Sequence, residues 1–498
     1  MRDNSVFSMQ GKLSIAPRII VALTIVLLFS GCKKEMPDEG FVPGVPWLLG
    51  STLIKLTPFG YEKAEYFIKG TAQSFETIEA RTSDGKWDIE TVSEADFKTR
   101  IVVYRPTDPA KFNGTVIIEW LNVSGGTEAS SEWIMAHTEL MRSGYAWIGV
   151  SAQKAGIEKG AGINLLSFAL PLKTLNPYRY DSLVHPGDEY SYDIFTQAAR
   201  AVIHPQNFNP LGDLVLERAI ASGESQSADH LLTYVNAIAP RENLFDAYFI
   251  HSRVHGSAPL QPDPERTDPG IESREPVMVR DDLDVPVLML QTESDISVLG
   301  TYQDSQPDTE LFRTWEVAGT AHADRYVGNL GLVDKGDDPS VAAVAETRYA
   351  VPVVVKCGKP VNSGPQHFVV KAALTALDNW LRTGVPPTPA DRLAFDEATL
   401  SIQRDQYGNA LGGIRTPYVD VPVATLSGEG QEEGDILCMT YGTTELFDEA
   451  TLASLYPDNA TYVALVAESV DDAVAKGFLL QADGELIKTW ARLSGIGD

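Results

Sequence analysis

Cysteine is scarce in this sequence, with three residues in a chain of 498. No Cys-x-x-Cys pair and no His-Glu-x-x-His run is present, so the spacings that commonly mark a zinc site are missing. We therefore expect neither a metal nor a cofactor.

Positive charge is also in short supply. The chain has 40 Lys and Arg residues against 68 Asp and Glu residues, a formal net charge of −28 at pH 7. A surface this acidic repels nucleic acid and anionic lipid headgroups, so we exclude nucleic-acid binding. Hydrophobic residues make up 44% of the chain, enough for a large core, and the acidity is therefore interpreted as a solvated surface.

The apolar run near the start of the chain is too short to span a membrane as a stable helix. It covers 11 residues, Ile19 to Phe29, and Arg2, Lys12 and Arg18 precede it. It ends in Phe29-Ser30-Gly31-Cys32, which resembles a bacterial lipobox. We predict a signal peptide over residues 1–31 and lipidation at Cys32, with a plain secretory signal or an uncleaved anchor as the alternative.

The residues after the lipobox indicate where the chain goes. Lys33 and Lys34 leave no aspartate beside the anchor, a pattern that resembles outer-membrane sorting. The Pro- and Gly-rich stretch that follows predicts a tether over residues 32–51, ahead of one domain over residues 52–498. We expect a lipoprotein of the outer membrane or periplasm, otherwise a secreted protein, whose only membrane contact is its lipid.

Export bears on the two remaining cysteines, Cys357 and Cys438. An oxidising compartment allows such a pair to form a disulfide. We expect this pairing, and two buried free thiols are the alternative.

Segments of strand length alternate with helical segments through most of the domain. Tyr66 to Thr77 and Phe97 to Tyr104 predict an antiparallel edge. Buried strands are predicted at Gly114 to Leu121, Tyr145 to Val150, Ala219 to Ala221, Phe245 to His251, Val285 to Thr292 and Thr314 to Ala318, with a helix at Ser131 to Arg142. This alternation predicts an α/β fold with a mostly parallel, doubly wound sheet, interrupted by an insertion from His255 to Arg280.

Glu217 to Ala239 is the segment around which the predicted site is built. After its short strand, Gly223 and Ser225 predict a tight turn, and apolar residues then recur at helical spacing. This is the layout of a nucleophile elbow, in which the turn exposes a serine hydroxyl at the N-terminus of a helix. The motif is Gly-x-Ser-x-Ser instead of Gly-x-Ser-x-Gly, and a residue as small as Ser227 still lets helix and strand approach closely.

Two later strand ends supply the partners that a serine nucleophile needs. Asp295 follows the strand ending at Thr292, and His322 follows the strand ending at Ala318. Serine, acid and histidine in this chain order, each after a strand, match the order expected on such a sheet. His322 is the expected base and Asp295 the carboxylate that orients it, with Glu293 as the alternative acid.

Backbone amides are expected to hold the oxyanion. One belongs to Gln226, directly after the nucleophile. The other comes from the loop after the Gly114 strand, within Leu121 to Val123, and we assign it to Asn122. This assignment follows from topology, because side chains do not reveal backbone donors.

Several segments of the chain together resemble a bacterial family of large α/β-hydrolase-domain proteins. They are Val116 to Gly126, Tyr145 to Gln153, His185 to Asp193, Ser222 to Ala228, Gln291 to Asp295, Ala318 to His322 and Gly412 to Pro417. The resemblance implies an α/β-hydrolase fold and a serine hydrolase with Gly-x-Ser-x-Ser as the family's own elbow. It also implies that residues from about 350 onward, with a helix at Phe368 to Leu381, form a C-terminal extension of the same domain.

These features predict an exported serine hydrolase that cleaves a carboxylic ester, small or oligomeric. Ser225 attacks the acyl carbon, His322 takes and returns the proton, Asp295 orients His322, and water releases the acid from an acyl-enzyme. An ester is preferred to an amide because an alkoxide is the better leaving group and because esterases dominate this fold. A peptidase or amidase on the same triad and a non-catalytic binding lipoprotein are the alternatives.

Overall fold

The protein is described from a computed structural model. It covers residues 36–48, 50–159, 170–262, 274–351, 355–432 and 435–498. The predicted signal peptide and the lipidation site at Cys32 lie outside these residues. Among the residues described, no helix combines the length and the apolar character that a bilayer crossing requires.

The main sheet is built from nine strands of the described chain. They are β1 Gly40–Phe41, β2 Tyr61–Thr77, β3 Ile89–Pro106, β4 Thr115–Trp120, β5 Ala146–Val150, β6 Arg218–Glu224, β7 Ala247–His251, β8 Val287–Thr292 and β9 Phe312–Val317. Their order across the sheet is β1-β2-β3-β5-β4-β6-β7-β8-β9. The order reverses at β4 and β5, which is the strand crossing that a doubly wound sheet requires.

Strand directions divide the sheet into two parts. β1, β2, β3 and β5 pair antiparallel in turn, while every pair from β5 and β4 through to β9 is parallel. Ile118 lies in register with Ile148 on one side and Ala221 on the other. The predicted fold class, a mostly parallel α/β sheet with an antiparallel edge, is confirmed.

The described residues form fourteen α-helices. They are α1 Ser131–Arg142, α2 Lys154–Ile157, α3 Leu172–Leu175, α4 Pro177–Tyr180, α5 Ser191–Ile203, α6 Gln226–Thr233, α7 Ala239–Glu242, α8 Glu293–Ser297, α9 Gln366–Thr383, α10 Pro417–Asp420, α11 Ile436–Thr440, α12 Glu449–Leu455, α13 Asn459–Lys476 and α14 Gln481–Leu493. A π-helical turn, Tyr234–Ile238, continues α6.

Helices cover both faces of the sheet. Along β4, Ile118 and Trp120 point into one apolar cluster with α5 and α6, whereas Ile117 points into a second cluster with α1 and α9. Successive side chains of a strand alternate between faces, so a strand buried on both faces has no polar side to show. This is why the parallel strands appear in the sequence as short apolar runs.

The predicted tether over residues 32–51 is wrong from Met36 onward. Gly40–Phe41 adds β1 to the sheet by pairing with Phe67 and Tyr66. Val42 is fully buried and Leu48 nearly so. Pro and Gly in this stretch therefore shape an extended segment held against the sheet edge, and the folded unit begins at Met36.

Residues from Tyr349 onward, before and after α9, join the same compact unit, Met36–Asp498. They carry short strand pairs: β10 Tyr349–Val351 with β11 Val355–Lys356, β12 Phe395–Asp396 with β13 Ser401–Ile402, and β14 Ala424–Ser427 with β15 Thr443–Leu446. Phe368 of α9 packs in one apolar cluster with Val466 of α13 and Ile487 of α14. Cys357 and Cys438 form a disulfide that closes a segment of 81 residues.

Part of the predicted insertion belongs to the core. Of His255 to Arg280, residues 263–273 lie outside the described chain. Val277 and Val279 are buried against the first of the two apolar clusters. The buried side chain of Arg253 holds the segment that contains Val277 and Val279, because it donates to the carbonyl of Val277 at 2.9 Å.

Candidate active site

Ser225 lies in a sharp turn between β6 and α6. Its backbone dihedrals, φ 58° and ψ −125°, lie in a region that residues other than glycine rarely adopt. Two backbone hydrogen bonds support the turn, from Ser225 N–H to the His251 carbonyl at 3.0 Å and from Asp229 N–H to the Ser225 carbonyl at 3.1 Å. The turn exposes Oγ at the carboxyl edge of the sheet.

Small residues on either side of Ser225 permit this turn. A Cβ atom on Gly223 would lie 2.7 Å from the backbone oxygen of Ser227, too close for any side chain. Ser227 itself is fully buried in the first turn of α6. The elbow therefore needs glycine at 223 and a small residue at 227, which the Gly-x-Ser-x-Ser form supplies.

Three side chains that are distant in sequence meet at this edge. Ser225 Oγ lies 2.8 Å from His322 Nε2, and His322 Nδ1 lies 2.6 Å from Asp295 Oδ1. A carboxylate accepts, so Nδ1 carries the hydrogen and Nε2 is left to accept the proton of the Ser225 hydroxyl. The geometry is that of a serine hydroxyl coupled to a base that a carboxylate orients.

The loops that carry the acid and the histidine hold each other. Thr292 caps α8 in a capping box: its hydroxyl accepts from Asp295 N–H, and Asp295 Oδ2 accepts from Thr292 N–H at 2.7 Å. Oδ1 of Asp295 is thereby left for His322. Ser294 Oγ accepts from the backbone N–H of His322 at 2.7 Å. The Ser294 hydroxyl and the Asp295 carboxylate, which both contact His322, therefore come from one turn of α8.

Glu293, the alternative acid, does not face His322. Its Oε1 accepts from Gly319 N–H at 2.6 Å. Its Oε2 accepts from Gly428 N–H and from the Arg404 guanidinium, each at 3.0 Å. The alternative is wrong because both oxygens are occupied in joining the histidine loop to the C-terminal extension.

The electrostatics favour a charged imidazole. Burial alone lowers the pKa of His322. The Asp295 carboxylate and its hydrogen bond, with smaller contributions from Glu224 and Asp229, outweigh this effect and raise the pKa to about 9. His322 is 8% exposed and Asp295 fully buried, so solvent screens this interaction little. The imidazolium that forms when His322 takes a proton is therefore stabilised by the site.

The predicted oxyanion donors have different outcomes. Gln226 opens α6, so its backbone N–H has no acceptor within the helix and lies beside Ser225. The backbone N–H of Asn122 is used in a β-bridge to the Ala129 carbonyl, at 3.1 Å, so the assignment of Asn122 is wrong. The next amide in the predicted loop, that of Val123, has no acceptor among the described residues.

Sequence reasoning missed one side chain at the site. Glu224 lies directly before the nucleophile, 7% exposed, with Oε1 3.6 Å from His322 Nε2. Its position inside the elbow motif was the available signal. His251 is fully buried at the end of β7, with Nδ1 3.1 Å from Glu132 Oε1.

The described residues hold no cluster of three or more His, Cys, Asp or Glu side chains placed to bind a metal ion. A surface groove of about 840 Å³ is lined by Pro286, Leu311 and Trp380. Pro286 and Leu311 precede the first residues of β8 and β9. The groove is thus at the amino edge of the sheet, at the opposite end of these strands from Ser225.

The fold and the elbow define the class: this is an α/β hydrolase. The chain belongs to the family described as "Alpha/beta hydrolase domain", whose sequence model matches residues 35–489. The match covers nearly the whole described chain and includes the C-terminal extension. The resemblance noted from the sequence is confirmed.

Similarity to individual proteins is much weaker. No curated protein matches the chain in sequence. Among solved structures, it is similar to an esterase from Rhizomucor miehei (11% identity over 64% of this chain and 85% of that one, TM-score 0.29) and to a serine hydrolase without a lid from Xanthomonas campestris (13%, 44% and 78%, 0.27). A thermostable esterase from Pseudomonas putida is similar at 11% identity over 53% and 76%, with a TM-score of 0.26. Similarity at this level does not extend to substrate or mechanism.

Proposed function

We propose that the protein is a serine hydrolase that cleaves a carboxylic ester through an acyl-enzyme. The observation that carries the proposal is the pair of hydrogen bonds from Ser225 Oγ to His322 Nε2, 2.8 Å, and from His322 Nδ1 to Asp295 Oδ1, 2.6 Å. Nucleophile, base and orienting acid are within direct reach of one another, as general-base activation requires.

In the proposed reaction His322 Nε2 takes the proton as Ser225 Oγ attacks the acyl carbon. The oxyanion that forms is held by the Gln226 amide and by a second amide of the loop after β4, for which Val123 is the candidate. His322 returns the proton to the departing alcohol, leaving the acyl group on Ser225. A water molecule activated by the same nitrogen then releases the acid and restores the hydroxyl.

An ester is proposed over an amide on chemical grounds. An alkoxide leaves more readily than an amide anion, so an ester places less demand on protonation by His322. A panel of matched ester and amide substrates with the same acyl group tests this choice. We expect ester kcat/KM to exceed amide kcat/KM and to vanish in Ser225→Ala; faster cleavage of the amide would favour the peptidase or amidase alternative.

We also propose that the protein is exported and anchored by lipid at Cys32. The support is the sequence alone: a basic start, an apolar run of 11 residues and a lipobox-like end. Labelled fatty acid supplied to expressing cells should enter the wild-type protein and not Cys32→Ala, and only the wild type should sediment with membranes. An unlabelled wild-type protein free in the medium or periplasm would reject the anchor.

A further inference from the structure

Glu224 places a second carboxylate beside the proposed base. It is the last residue of β6, so the turn at Ser225 begins at its carbonyl. Its Oε1 lies 3.6 Å from His322 Nε2, the nitrogen that faces Ser225. Asp295 approaches the same ring from Nδ1. The imidazole is therefore flanked by carboxylates at both nitrogens.

The other oxygen of Glu224 reaches the predicted oxyanion loop. Oε2 accepts from Asn122 Nδ2 at 3.2 Å, and the same amide nitrogen lies 3.1 Å from the Glu224 carbonyl oxygen. The Ser131 side chain, at the start of α1, also hydrogen-bonds to the carboxylate. One side chain thus connects the base with the loop that carries Asn122 and Val123.

Charged and titratable groups on the neighbouring elements surround Glu224 and His322. They are Asp295 of α8, Asp229 of α6 with its partner Arg274, Glu132 of α1 with its partner His251 of β7, and Tyr441 after α11. Asp324, two residues after His322, interacts with His251. Burial raises the pKa of Glu224, and the imidazoles of His322 and His251 oppose that rise. Glu224 has no arginine or lysine partner among the described residues, so its nearest cationic partner is His322 once that ring is protonated.

We propose that Glu224 is a positioning residue of the ester hydrolysis, holding charge beside His322 Nε2 while fixing the oxyanion loop through Asn122. When the proton passes from Ser225 Oγ to Nε2, the imidazolium that forms has a carboxylate beside each nitrogen, Glu224 at Nε2 and Asp295 at Nδ1. Glu224 does not take the proton; it stabilises the imidazolium. The inference rests on the proposed function, because it concerns the same base.

The test is the pH dependence of kcat/KM for a short-chain ester in wild type and in Glu224→Gln, with hydrolysis measured by pH-stat titration. Glutamine keeps the shape and an acceptor oxygen for Asn122 but removes the charge. An opposite charge within about 4–6 Å shifts a pKa by about one to three units, and Glu224 contributes less to the pKa of His322 than Asp295 does. Loss of the Glu224 charge should therefore move the ascending limb of the pH profile toward acid by about one pH unit. We expect kcat on the plateau to fall about tenfold or more, the equivalent of one pKa unit.

Glu217→Gln is the matched control. Glu217 precedes the opposite end of β6, pairs with Arg218 and has a side chain 58% exposed. The same chemical change there should leave both the limb and kcat as in wild type. A shift of equal size in Glu217→Gln would mean that net charge, and not the Glu224 contact, sets the limb.

Further variants separate charge from support. Glu224→Ala removes the acceptor for Asn122 as well, and we expect the same limb as in Glu224→Gln with a lower plateau kcat. If Glu224→Gln does not fold, Glu224→Asp replaces it: the carboxylate is withdrawn by one methylene, so the limb should still move toward acid, by less.

The outcomes are distinguishable. A wild type that hydrolyses ester and whose limb is moved by neither Glu224→Gln nor Glu224→Asp overturns this inference and leaves the proposed function standing. A wild type that hydrolyses no ester rejects the proposed function and this inference with it.

Discussion

Asp295 and Glu293 lie two residues apart, yet their carboxylates serve different parts of the molecule. Asp295 turns back toward its own N-cap and accepts a hydrogen bond from His322, whereas Glu293 bonds Gly319, Gly428 and Arg404. The distinction was within reach of the sequence: Thr292-Glu-Ser-Asp295 has the pattern of a capping box, which directs the fourth residue back to the first. Neither strand order nor loop length separates the two acids.

Asp295→Asn and Glu293→Gln should therefore affect different properties, the first kcat and the second stability. In Asp295→Asn the orienting carboxylate is lost, and kcat should fall about 10³–10⁴-fold with little change in stability. In Glu293→Gln buried charge-assisted hydrogen bonds are lost, so the free energy of unfolding should fall by about 1–3 kcal/mol while kcat stays within about tenfold. Ester hydrolysis and urea unfolding measure the two effects. Equal losses of kcat in the two variants would contradict the division of roles.

We expect the pKa of His322 to set the pH dependence of ester hydrolysis by the wild type. The flanking carboxylates raise this pKa to about 9, and only the neutral imidazole can take a proton from Ser225. The protonated form dominates below that pH, so kcat/KM should rise with pH through about 9 and level off above it. A pH profile of ester hydrolysis checks this. A limb near pH 6.5, the ordinary range of histidine, would show that the carboxylates do not act on the ring as described.

At the scale of elements, the elbow depends on how closely α6 approaches β6. Gly223 lies against the backbone of Ser227, and the buried Ser227 hydroxyl has no hydrogen-bond partner among the described residues. The hydroxyl therefore contributes little, while the small size of the residue is required. The Gly-x-Ser-x-Ser form is a tolerated variant of the elbow and not a distinct design.

Two substitutions test this view of the elbow. Ser227→Gly removes an unsatisfied buried hydroxyl and costs about 0.5 kcal/mol of helix propensity, so stability should change by less than about 1 kcal/mol and kcat by less than about threefold. Gly223→Ala forces the strand and helix apart; we expect a loss of about 1–3 kcal/mol in stability and about 100-fold in kcat as Ser225 shifts. Thermal unfolding and ester kinetics measure both. Normal activity in Gly223→Ala would refute the close-packing argument.

The elements that the sequence predicted well are those buried on both faces. Val285 to Thr292, for example, is an apolar run that became β8, Val287–Thr292, because no solvent face interrupts it. The features it missed depend on pairing with other segments, which the residues alone do not specify. β1 has two residues and owes its existence to Tyr66 and Phe67, and the β-bridge of Asn122 depends on Ala129. Glu224 acquired its place beside His322 only through the sheet order.

At the scale of the whole molecule, the C-terminal extension forms part of the frame of the histidine loop. Asn362 Nδ2 donates to the Gly319 carbonyl at 3.2 Å, and the Ala323 N–H donates to the Thr440 carbonyl at 3.1 Å. The disulfide of Cys438 with Cys357 joins the segments that carry these contacts. Both contacts lie within three residues of His322.

Removal of the disulfide should accordingly affect stability and activity together. A double variant, Cys357→Ser with Cys438→Ser, opens a segment of 81 residues, and a loop of this size predicts a loss of about 2–5 kcal/mol in the free energy of unfolding. kcat should fall as the histidine loop loosens. Wild-type protein whose disulfide has been reduced should behave like the double variant. Denaturant unfolding with parallel kinetics measures both. An unchanged midpoint would show that the extension is held without the covalent link.

We propose that His322 and Asp295 activate the hydroxyl of Ser225, and covalent capture of that hydroxyl is the direct test. The protein is treated with a fluorophosphonate at pH 9, digested, and the adduct is located by mass spectrometry. We expect one phosphonyl group per chain on Ser225, much slower capture in Asp295→Asn and none in Ser225→Ala. A wild-type protein that stays unmodified, or an adduct on another residue, would contradict it.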